Sequence, residues 1–385
     1  MIVRKMSSIQ LVSVRWWNAS AYYAVTLAEI LQSRGLKTVV GGSADSPPLE
    51  QAGRNNLPVA AFQFESFNPW HFFRNLRLLK MALVDNQIDI MNVHRPEDHF
   101  YSIFFRNNSS GRPLIRTVGD VRSPKVNYLN KIIHLHHTDF FIFSCHANRK
   151  RYQNIWPIPE NKTEVIYAGV DTQHFSPTER TDQELRKLGI PPGCITFGMV
   201  GRLSPVKNHS MFLQAASQLL KEQRNAFFII SGEEVEIKEA DLKQLSQQLG
   251  IADQVLIAGK FEDVREIIRL IDVGVVCSRD SEAISRITAE FMSMSKPVIV
   301  TDINVLPEMV AVGHNGFVTK TDSAELLYQK MKKIMENPEL RRKMGKNARS
   351  TAVRRFSYNR FFEDTVRVYE KVLNTYRSGI HSTHE

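Results

Sequence analysis

Two glutamates and two cations in the second half of the chain have the types and spacing to bind a ligand that carries hydroxyls and a diphosphate. Glu282 and Glu290 are separated by seven residues, so in a helix they would lie about 12 Å apart along the axis. A carboxylate accepts strong hydrogen bonds from paired hydroxyls such as those of ribose. Arg202 and Lys207 follow a strand-like segment, where fixed positive charge would stabilise negative charge on a ligand, including charge that develops in a transition state.

The elements predicted around these four residues explain how they would converge. The buried strand 195–200 leads into Gly201, whose small size lets the backbone approach a ligand. A second strand ends near Ser278 and should deliver the chain to a helix that begins close to Glu282. A helix N-terminus presents unpaired N–H groups and the positive end of the helix dipole, and both favour a diphosphate.

Strand-like and helix-like segments alternate along the whole chain. Helical periodicity over 19–34 ends at Gly35, and a capped helix start is predicted over 322–325. Such alternation predicts parallel sheets, here in two doubly wound Rossmann-like units. The predicted strands are 9–14, 36–40, 88–93, 114–117, 140–144 and 165–167 in the first unit, and 195–200, 226–230, 255–257, 273–276 and 297–300 in the second.

The length of the chain also favours two domains, because 385 residues exceed the usual size of one. We predict a first domain over 1–177 and a second over 178–355. A helix over 356–376 should pack back on the first domain, and 377–385 should form a frayed polar tail.

Composition and charge exclude several classes of protein. No run approaches the roughly 20 apolar residues of a membrane span, and the start lacks the cleavage site of a secretory signal, so we expect a cytoplasmic protein. The formal net charge of +10 indicates a partner that is at least partly anionic.

The three cysteines fit neither a disulfide framework nor zinc knuckles. His134, His136 and His137 do not share one helix face, so we expect no metal.

Four short motifs follow one another in the second half of the chain: 168–171 with Phe175 and Pro177, 201–203 with Lys207, 282–290, and 297–302 with Pro307 and Glu308. Together they resemble the retaining glycosyltransferases of family 4. This resemblance implies the GT-B fold, in which two Rossmann-like domains face each other across a cleft and a last helix crosses back to the first domain. It also implies that the first domain binds the acceptor and the second binds the nucleotide-sugar donor.

The resemblance implies a role for each residue of the predicted donor site. Glu282 would contact hydroxyls of the donor sugar, and Glu290 would hold the ribose hydroxyls. Arg202 and Lys207 would stabilise the departing diphosphate and, with Glu282, form the catalytic set. No Asp-x-Asp motif occurs in the chain, which fits a mechanism without a metal ion or other cofactor. Further donor contacts are expected at Gly201, Gly232, Ala283, Ile284 and Ser285.

The first half departs from the family pattern, so its acceptor side is predicted from position. The family's glycine-rich first loop is replaced by 15–20, and Gly119 stands where many relatives have a histidine. Side chains after strand ends lie where doubly wound sheets bind ligands. Trp17 could stack on a sugar ring or belong to the core. His94 and His99 could face the acceptor or be structural. The acceptor-side candidates are Trp17, Asn18, His94, His99 and Asp120.

The segment 69–80 combines aromatic, aliphatic and basic residues without an acid. That composition is typical of an amphipathic helix that lies on anionic lipid headgroups. A core helix with a solvated basic face would have much the same composition. The candidate membrane-facing residues are Trp70, Phe73, Arg74, Arg77 and Lys80.

The sequence therefore predicts a retaining glycosyltransferase that uses a UDP-, GDP- or ADP-linked sugar. Its acceptor would be a glycan or a lipid-linked molecule, in the synthesis of bacterial cell-surface polysaccharide or lipopolysaccharide, with peripheral association at the inner face of the membrane. A sugar-nucleotide epimerase of the same architecture and a catalytically impaired relative are the alternatives. A nucleic-acid-binding protein would explain the charge, but the chain has no recognition motif, aromatic-interleaved signature or basic tail of that class.

Overall fold

The computed structural model describes residues 6–64, 68–106 and 112–381. The chain divides into two compact units: unit 1 comprises Met1–Gly169 and Tyr358–Glu385, and unit 2 comprises Val170–Ser357. The first division falls earlier than the predicted boundary after residue 177. The reason is that Val170 donates a backbone hydrogen bond to Phe356 O at 2.7 Å, which ties the segment after Gly169 to unit 2.

Unit 1 contains a seven-stranded parallel sheet in the order β3-β2-β1-β4-β5-β6-β7. The chain begins in the middle, winds to one edge and then crosses to the other side, so the topological switch point lies between β1 and β4. The strands are β1 Ser7–Leu11, β2 Lys37–Ser43, β3 Val59–Phe62, β4 Ile90–Val93, β5 Leu114–Val118, β6 Phe140–Phe143 and β7 Thr163–Val165.

Helices of unit 1 cover the sheet between successive strands. The first of them is capped by Asn18, whose side chain accepts from Ala21 N, and ends before Gly35 at φ +78°. Apolar strand residues such as Ile9 and Leu11 are fully buried, as expected for parallel strands with helices on both faces. The helices are α1 Ala19–Ser33, α2 Pro47–Arg54, α3 Pro69–Asp85, α4 Pro96–Ser102, α5 Tyr128–His136 and α6 His146–Gln153.

Unit 2 contains a six-stranded parallel sheet in the order β10-β9-β8-β11-β12-β13, with its switch point between β8 and β11. The strands are β8 Ile195–Val200, β9 Ala226–Ser231, β10 Val255–Ala258, β11 Val273–Val276, β12 Val298–Thr301 and β13 Gly316–Thr319. The helices are α7 Asp182–Lys187, α8 His209–Glu222, α9 Glu239–Gln248, α10 Val264–Leu270, α11 Arg286–Ser293, α12 Leu306–Met309, α13 Ala324–Met335 and α14 Pro338–Arg355. The prediction of two parallel, Rossmann-like units is confirmed.

The last helix, α15 (Tyr358–His381), belongs to unit 1. Its Tyr369 hydroxyl accepts hydrogen bonds from Gln10 and Asn92, each at 3.0 Å, and the Phe361 ring packs edge-on against Tyr23 at 4.7 Å. The helix runs past residue 376, where the sequence predicted its end, and residues 382–385 of the predicted tail lie outside the described part. Within the described ranges, no helix is long and apolar enough to cross a membrane.

Candidate active site

Two glycines bring the loops after β8 and β9 into direct contact. Gly201 N donates to Ser231 O at 2.9 Å, and Gly201 has φ +151°, a conformation that L side chains rarely adopt. A Cβ on Gly232 would lie 1.7 Å from Gly201 O, so only glycine fits there. This close approach explains why position 232 is a glycine. It also fixes the backbone of the loop that leads to Lys207.

Lys207 and Glu282 meet across the switch point of unit 2. Lys207 ends a short 3₁₀ turn after β8, and the left-handed Asn208 at φ +58° redirects the chain into α8. The Lys207 ammonium forms an ion pair with Glu282 Oε1, and Ser278 Oγ donates to the same oxygen at 2.6 Å. Since β8 and β11 are neighbours in the sheet, the two predicted catalytic residues lie at the same sheet edge, the one at which doubly wound sheets generally bind ligands.

The segment around Glu282 is a loop and not the start of a helix, which corrects the predicted geometry. Ser281 has φ +57°, and Glu282 O accepts from Val305 N at 3.0 Å, so both the local backbone and the loop after β12 hold this segment out of a helix. α11 begins only at Arg286, after Ser285 at the N-cap position. The axial separation of about 12 Å for a helical pair therefore does not apply, and Ala283 and Ile284 lie in the loop before the helix.

Glu290 is buried inside α11 with one cationic partner. Only 3% of its surface is exposed, and Arg286 Nε lies 2.8 Å from its Oε1 one turn earlier in the helix. Burial raises the pKa of the Glu290 carboxyl, while the nearby Arg286 opposes that rise. Its remaining acceptor positions suit hydroxyl hydrogen bonds from a ligand, because bonds to a charged group are the stronger kind.

Arg202 does not join the Lys207 and Glu282 cluster. Its side chain is exposed, and it makes no ion pair or side-chain hydrogen bond with any residue that the structure describes. Two residues that sequence reasoning missed lie beside the cluster instead. Ser278 bonds Glu282, and Arg279 donates to Asn208 Oδ1 at 3.1 Å. Their position directly after the buried strand β11 was the available signal.

The acceptor-side candidates differ in how far ligands could reach them. Trp17 is 38% exposed, but the Asn18 side chain is occupied in capping α1. His94 and His99 are buried and bond Gln10 and Thr138, and burial lowers the pKa of His94 to about 3. These contacts favour structural roles for both histidines.

The predicted membrane-facing side chains share the exposed face of α3. Trp70 is 74% exposed and Phe73 69% exposed. Arg74, Arg77 and Lys80 are exposed on the same helix. The opposite face buries Asn75, Leu79 and Leu83.

No group of three or more histidine, cysteine, aspartate or glutamate side chains placed to hold a metal ion occurs among residues 6–64, 68–106 and 112–381.

Comparison with known protein families matches both halves of the chain. Residues 180–351 match the model for glycosyl transferases group 1, and residues 20–174 match the model for glycosyltransferase family 4. Among curated proteins, EpsD of Bacillus subtilis (strain 168) is 29% identical over 219 residues, which cover 56% of either chain. The lipopolysaccharide core biosynthesis mannosyltransferase LpcC of Rhizobium leguminosarum bv. viciae is 25% identical over 217 residues, covering 56% of this chain and 61% of LpcC. The chain thus spans little more than half the length of these curated relatives.

Solved structures of similar fold cover nearly the whole chain. A glycosyltransferase from Rickettsia africae ESF-5 superimposes with a TM-score of 0.85 at 20% identity, covering 96% of this chain and 99% of the other. Anabaena HepE in complex with UDP superimposes with a TM-score of 0.80 at 18% identity, covering 95% of this chain and 100% of the other. At these identities the likeness shows the fold.

Proposed function

Because the chain belongs to the glycosyltransferases of family 4 and has their GT-B fold, we propose that it transfers a sugar from a nucleotide-sugar donor to an acceptor hydroxyl with retention of anomeric configuration. The observation that carries this proposal is the Lys207 and Glu282 pair at the switch point of unit 2. Doubly wound sheets bind their ligands at that point.

The ion pair explains how the same two residues serve both parts of the donor. When a nucleotide sugar binds, Lys207 exchanges its contact with Glu282 for the diphosphate, and Glu282 is released to accept from hydroxyls of the sugar. The bond between the anomeric carbon and the diphosphate oxygen breaks, and the acceptor oxygen bonds to the same face of that carbon. The acceptor proton passes to the departing diphosphate. Lys207 stabilises the negative charge that develops there, without a metal ion.

Exposed Arg202 has no competing partner in the described part of the chain, so it is free to add a second positive charge to the diphosphate. Glu290, one turn into α11, binds the ribose hydroxyls. The solved complexes of Anabaena HepE with UDP and with UDP-glucose support a nucleotide-sugar donor of this kind. Donor base and sugar are the first properties to measure.

A thermal-shift panel of UDP, GDP, ADP and their sugars tests donor binding directly. We expect one base to raise the melting temperature, because a ligand at 100 times its Kd adds about 2.7 kcal/mol to the free energy of unfolding. Inorganic pyrophosphate at equal concentration is the control and should give a much smaller shift, since it lacks the ribose that Glu290 holds. If no nucleotide shifts the melting temperature more than pyrophosphate does, the donor site is wrong.

The acceptor we propose is a glycan or lipid-linked precursor of cell-surface polysaccharide or lipopolysaccharide. The named role of LpcC in lipopolysaccharide core biosynthesis supports this class. Release of the nucleoside diphosphate and the identity of the sugar product separate the alternatives. A chain that binds the donor and releases nothing would be a catalytically impaired relative, and a donor sugar with inverted stereochemistry would identify an epimerase.

We also propose a cytoplasmic protein that associates with the anionic inner face of the membrane through unit 1. By sequence, unit 1 carries 24 lysines and arginines against 16 acids, whereas unit 2 carries 26 against 24. The large hydrophobic side chains exposed in unit 2 are all valines, but the described part of unit 1 exposes Trp70, Phe73 and Tyr128. α3 follows β3 and α5 follows β5, so their first turns leave the same edge of a parallel sheet. The exposed aromatic side chains of this edge and the exposed basic residues of α3 fit an anionic lipid surface.

Co-sedimentation with lipid vesicles tests this surface. We expect pelleting with phosphatidylcholine vesicles that contain phosphatidylglycerol and little with phosphatidylcholine alone. Replacing Arg74, Arg77 and Lys80 by glutamine should weaken binding more than tenfold, since each cation near an anionic surface contributes about 1 kcal/mol. Val353→Ser changes an exposed apolar side chain of unit 2 and should leave pelleting unchanged. Equal pelleting on both vesicle types would remove the electrostatic part of the proposal.

A further inference from the structure

A fully buried carboxylate joins two loops at the switch point of unit 1. Asp98 accepts from Ser13 N with Oδ1 at 3.1 Å and Oδ2 at 3.2 Å, and its Oδ2 also accepts from Arg95 N at 3.1 Å. Ser13 lies in the loop after β1, and Arg95 lies in the loop after β4. These two strands are neighbours, so Asp98 ties together the loops where the chain switches sides of the sheet.

The same network reaches a third loop. Arg95 Nη1 donates to Asp120 Oδ2 at 3.1 Å, and Asp120 Oδ1 accepts from Arg122 N at 3.0 Å in the loop after β5. The order β1, β4, β5 is also the order of adjacent strands. The acceptor-side candidates Trp17 and Asp120 therefore lie in loops whose relative placement depends on one hydrogen-bonded chain through Asp98.

We propose that Asp98 is a positioning residue for the acceptor-binding edge of unit 1, and that its ionised carboxylate is the form that holds the β1 and β4 loops together. The proposal rests on the proposed function only in taking this edge as the acceptor side. An ionised carboxylate accepts hydrogen bonds with both oxygens, whereas a protonated one carries a proton on one oxygen and has lost its charge. Adding that proton weakens the link between the two loops.

The surroundings of Asp98 place its titration near neutral pH. Burial raises the pKa of Asp98 to about 7, against the hydrogen bonds from Ser13, with Glu97 adding to the rise and Arg116 opposing it. Arg116 reaches this region from β5 and is itself buried. Burial keeps His94 neutral by lowering its pKa to about 3 and lowers the pKa of His99 as well. His94 therefore stays neutral while Asp98 gains or loses its proton.

The sign of the stability effect follows from the raised pKa. An aspartate in an unfolded chain has a pKa of about 3.9, so between that pH and about 7 the folded Asp98 binds more protons than the unfolded one. Its contribution to the free energy of unfolding therefore falls as pH rises through this window and stays low above it. Above about pH 7 the ionised Asp98 holds the two loops together, and in the same range its buried charge lowers the free energy of unfolding most.

Tryptophan fluorescence reports on the β1 loop, because Trp16 and Trp17 lie in it and are 63% and 38% exposed. Acrylamide quenching of the full chain is measured between about pH 5 and about pH 8. We expect a one-proton change in the quenching constant with its midpoint near the Asp98 pKa of about 7. The change should disappear in Asp98→Asn, whose amide nitrogen cannot accept from an N–H, and in the double variant Trp16→Phe, Trp17→Phe.

Asp89→Asn is the matched control, because Asp89 also accepts a backbone N–H, from Ser7 at 2.9 Å, but at the opposite edge of the sheet. It should keep the transition. A wild type without a transition, or an Asp98→Asn chain that retains one, would overturn the proposal. If Asp98→Asn does not fold, persistence of the transition in the double tryptophan variant still contradicts it. Quenching needs no substrate, so an inactive enzyme leaves this result intact, and an active one should show an acceptor KM that rises below the midpoint.

Discussion

Replacing Lys207 with methionine should lower kcat for sugar transfer by about 100- to 1,000-fold, the usual effect of removing one group that stabilises charge in a transition state. Methionine keeps most of the apolar stem and removes the ammonium that pairs with Glu282. Because the charge on the diphosphate grows as the glycosidic bond breaks, the loss should fall on kcat more than on the donor KM. Steady-state kinetics at saturating acceptor measures both constants.

Lys243→Met is the matched control for this change. Lys243 is an exposed lysine of unit 2 that pairs with Glu239 on the same helix, and exposed pairs of this kind contribute little. Its kcat should stay within about twofold of wild type, because a 0.4 kcal/mol change in barrier is about twofold in rate. A Lys207→Met enzyme with unchanged kcat and a raised donor KM would mean that Lys207 only binds the ground state, and the catalytic role would be wrong.

Replacing Glu290 with alanine should weaken nucleotide binding and spare the fold. Hydrogen bonds to a charged group contribute about 1.5–3 kcal/mol, which corresponds to a rise in nucleotide Kd of about 10- to 150-fold. In the ligand-free protein the carboxyl pairs with Arg286, whose side chain is half-exposed and can be solvated without it. We therefore expect a smaller change in the free energy of unfolding than in the binding free energy. Isothermal titration and thermal melting of the ligand-free variant measure them separately.

Glu325→Ala controls for the loss of a carboxylate, since Glu325 is exposed in the first turn of α13. Its nucleotide Kd should equal that of wild type. Ribose specificity can be checked with the 2′-deoxynucleotide, which should lose affinity for wild type and much less for Glu290→Ala. An unchanged nucleotide Kd in Glu290→Ala would remove the ribose assignment while leaving the proposals on Lys207 intact.

The parallel sheets could be predicted because their strands are buried on both faces and appear as short apolar runs such as 195–200 and 273–276. Two strands were missed. β3 has only one fully buried residue of four, and β13 is a four-residue strand that follows Asn315 with glycine as its first residue. Both are edge strands of only four residues that pair on one side, and so short a segment carries a weak sequence signal.

In the donor site, the residues could be predicted from the sequence but the backbone that carries them could not. The types and order of Lys207, Glu282 and Glu290 were readable, but the loop before α11 was not, because its shape depends on a bond between Glu282 O and Val305 N from another loop. The cap of α13 was wrongly predicted for the same reason. Asp322 was predicted as part of its cap, yet Asp322 bonds Arg279 and Asn208 instead, and Ser323 caps the helix. Partners distant in sequence decide such details, and no local pattern records them.

The return of α15 to unit 1 has a consequence for how the chain is made. Gln10 and Asn92 share the Tyr369 hydroxyl, and Tyr23 packs on Phe361, so the interior of unit 1 stays open until the end of the chain is available. Unit 2 is one continuous segment and can close its core as soon as it leaves the ribosome. The half that begins first is therefore completed last, and a fragment cut after Gly169 would carry unit 1 without the helix that seals it.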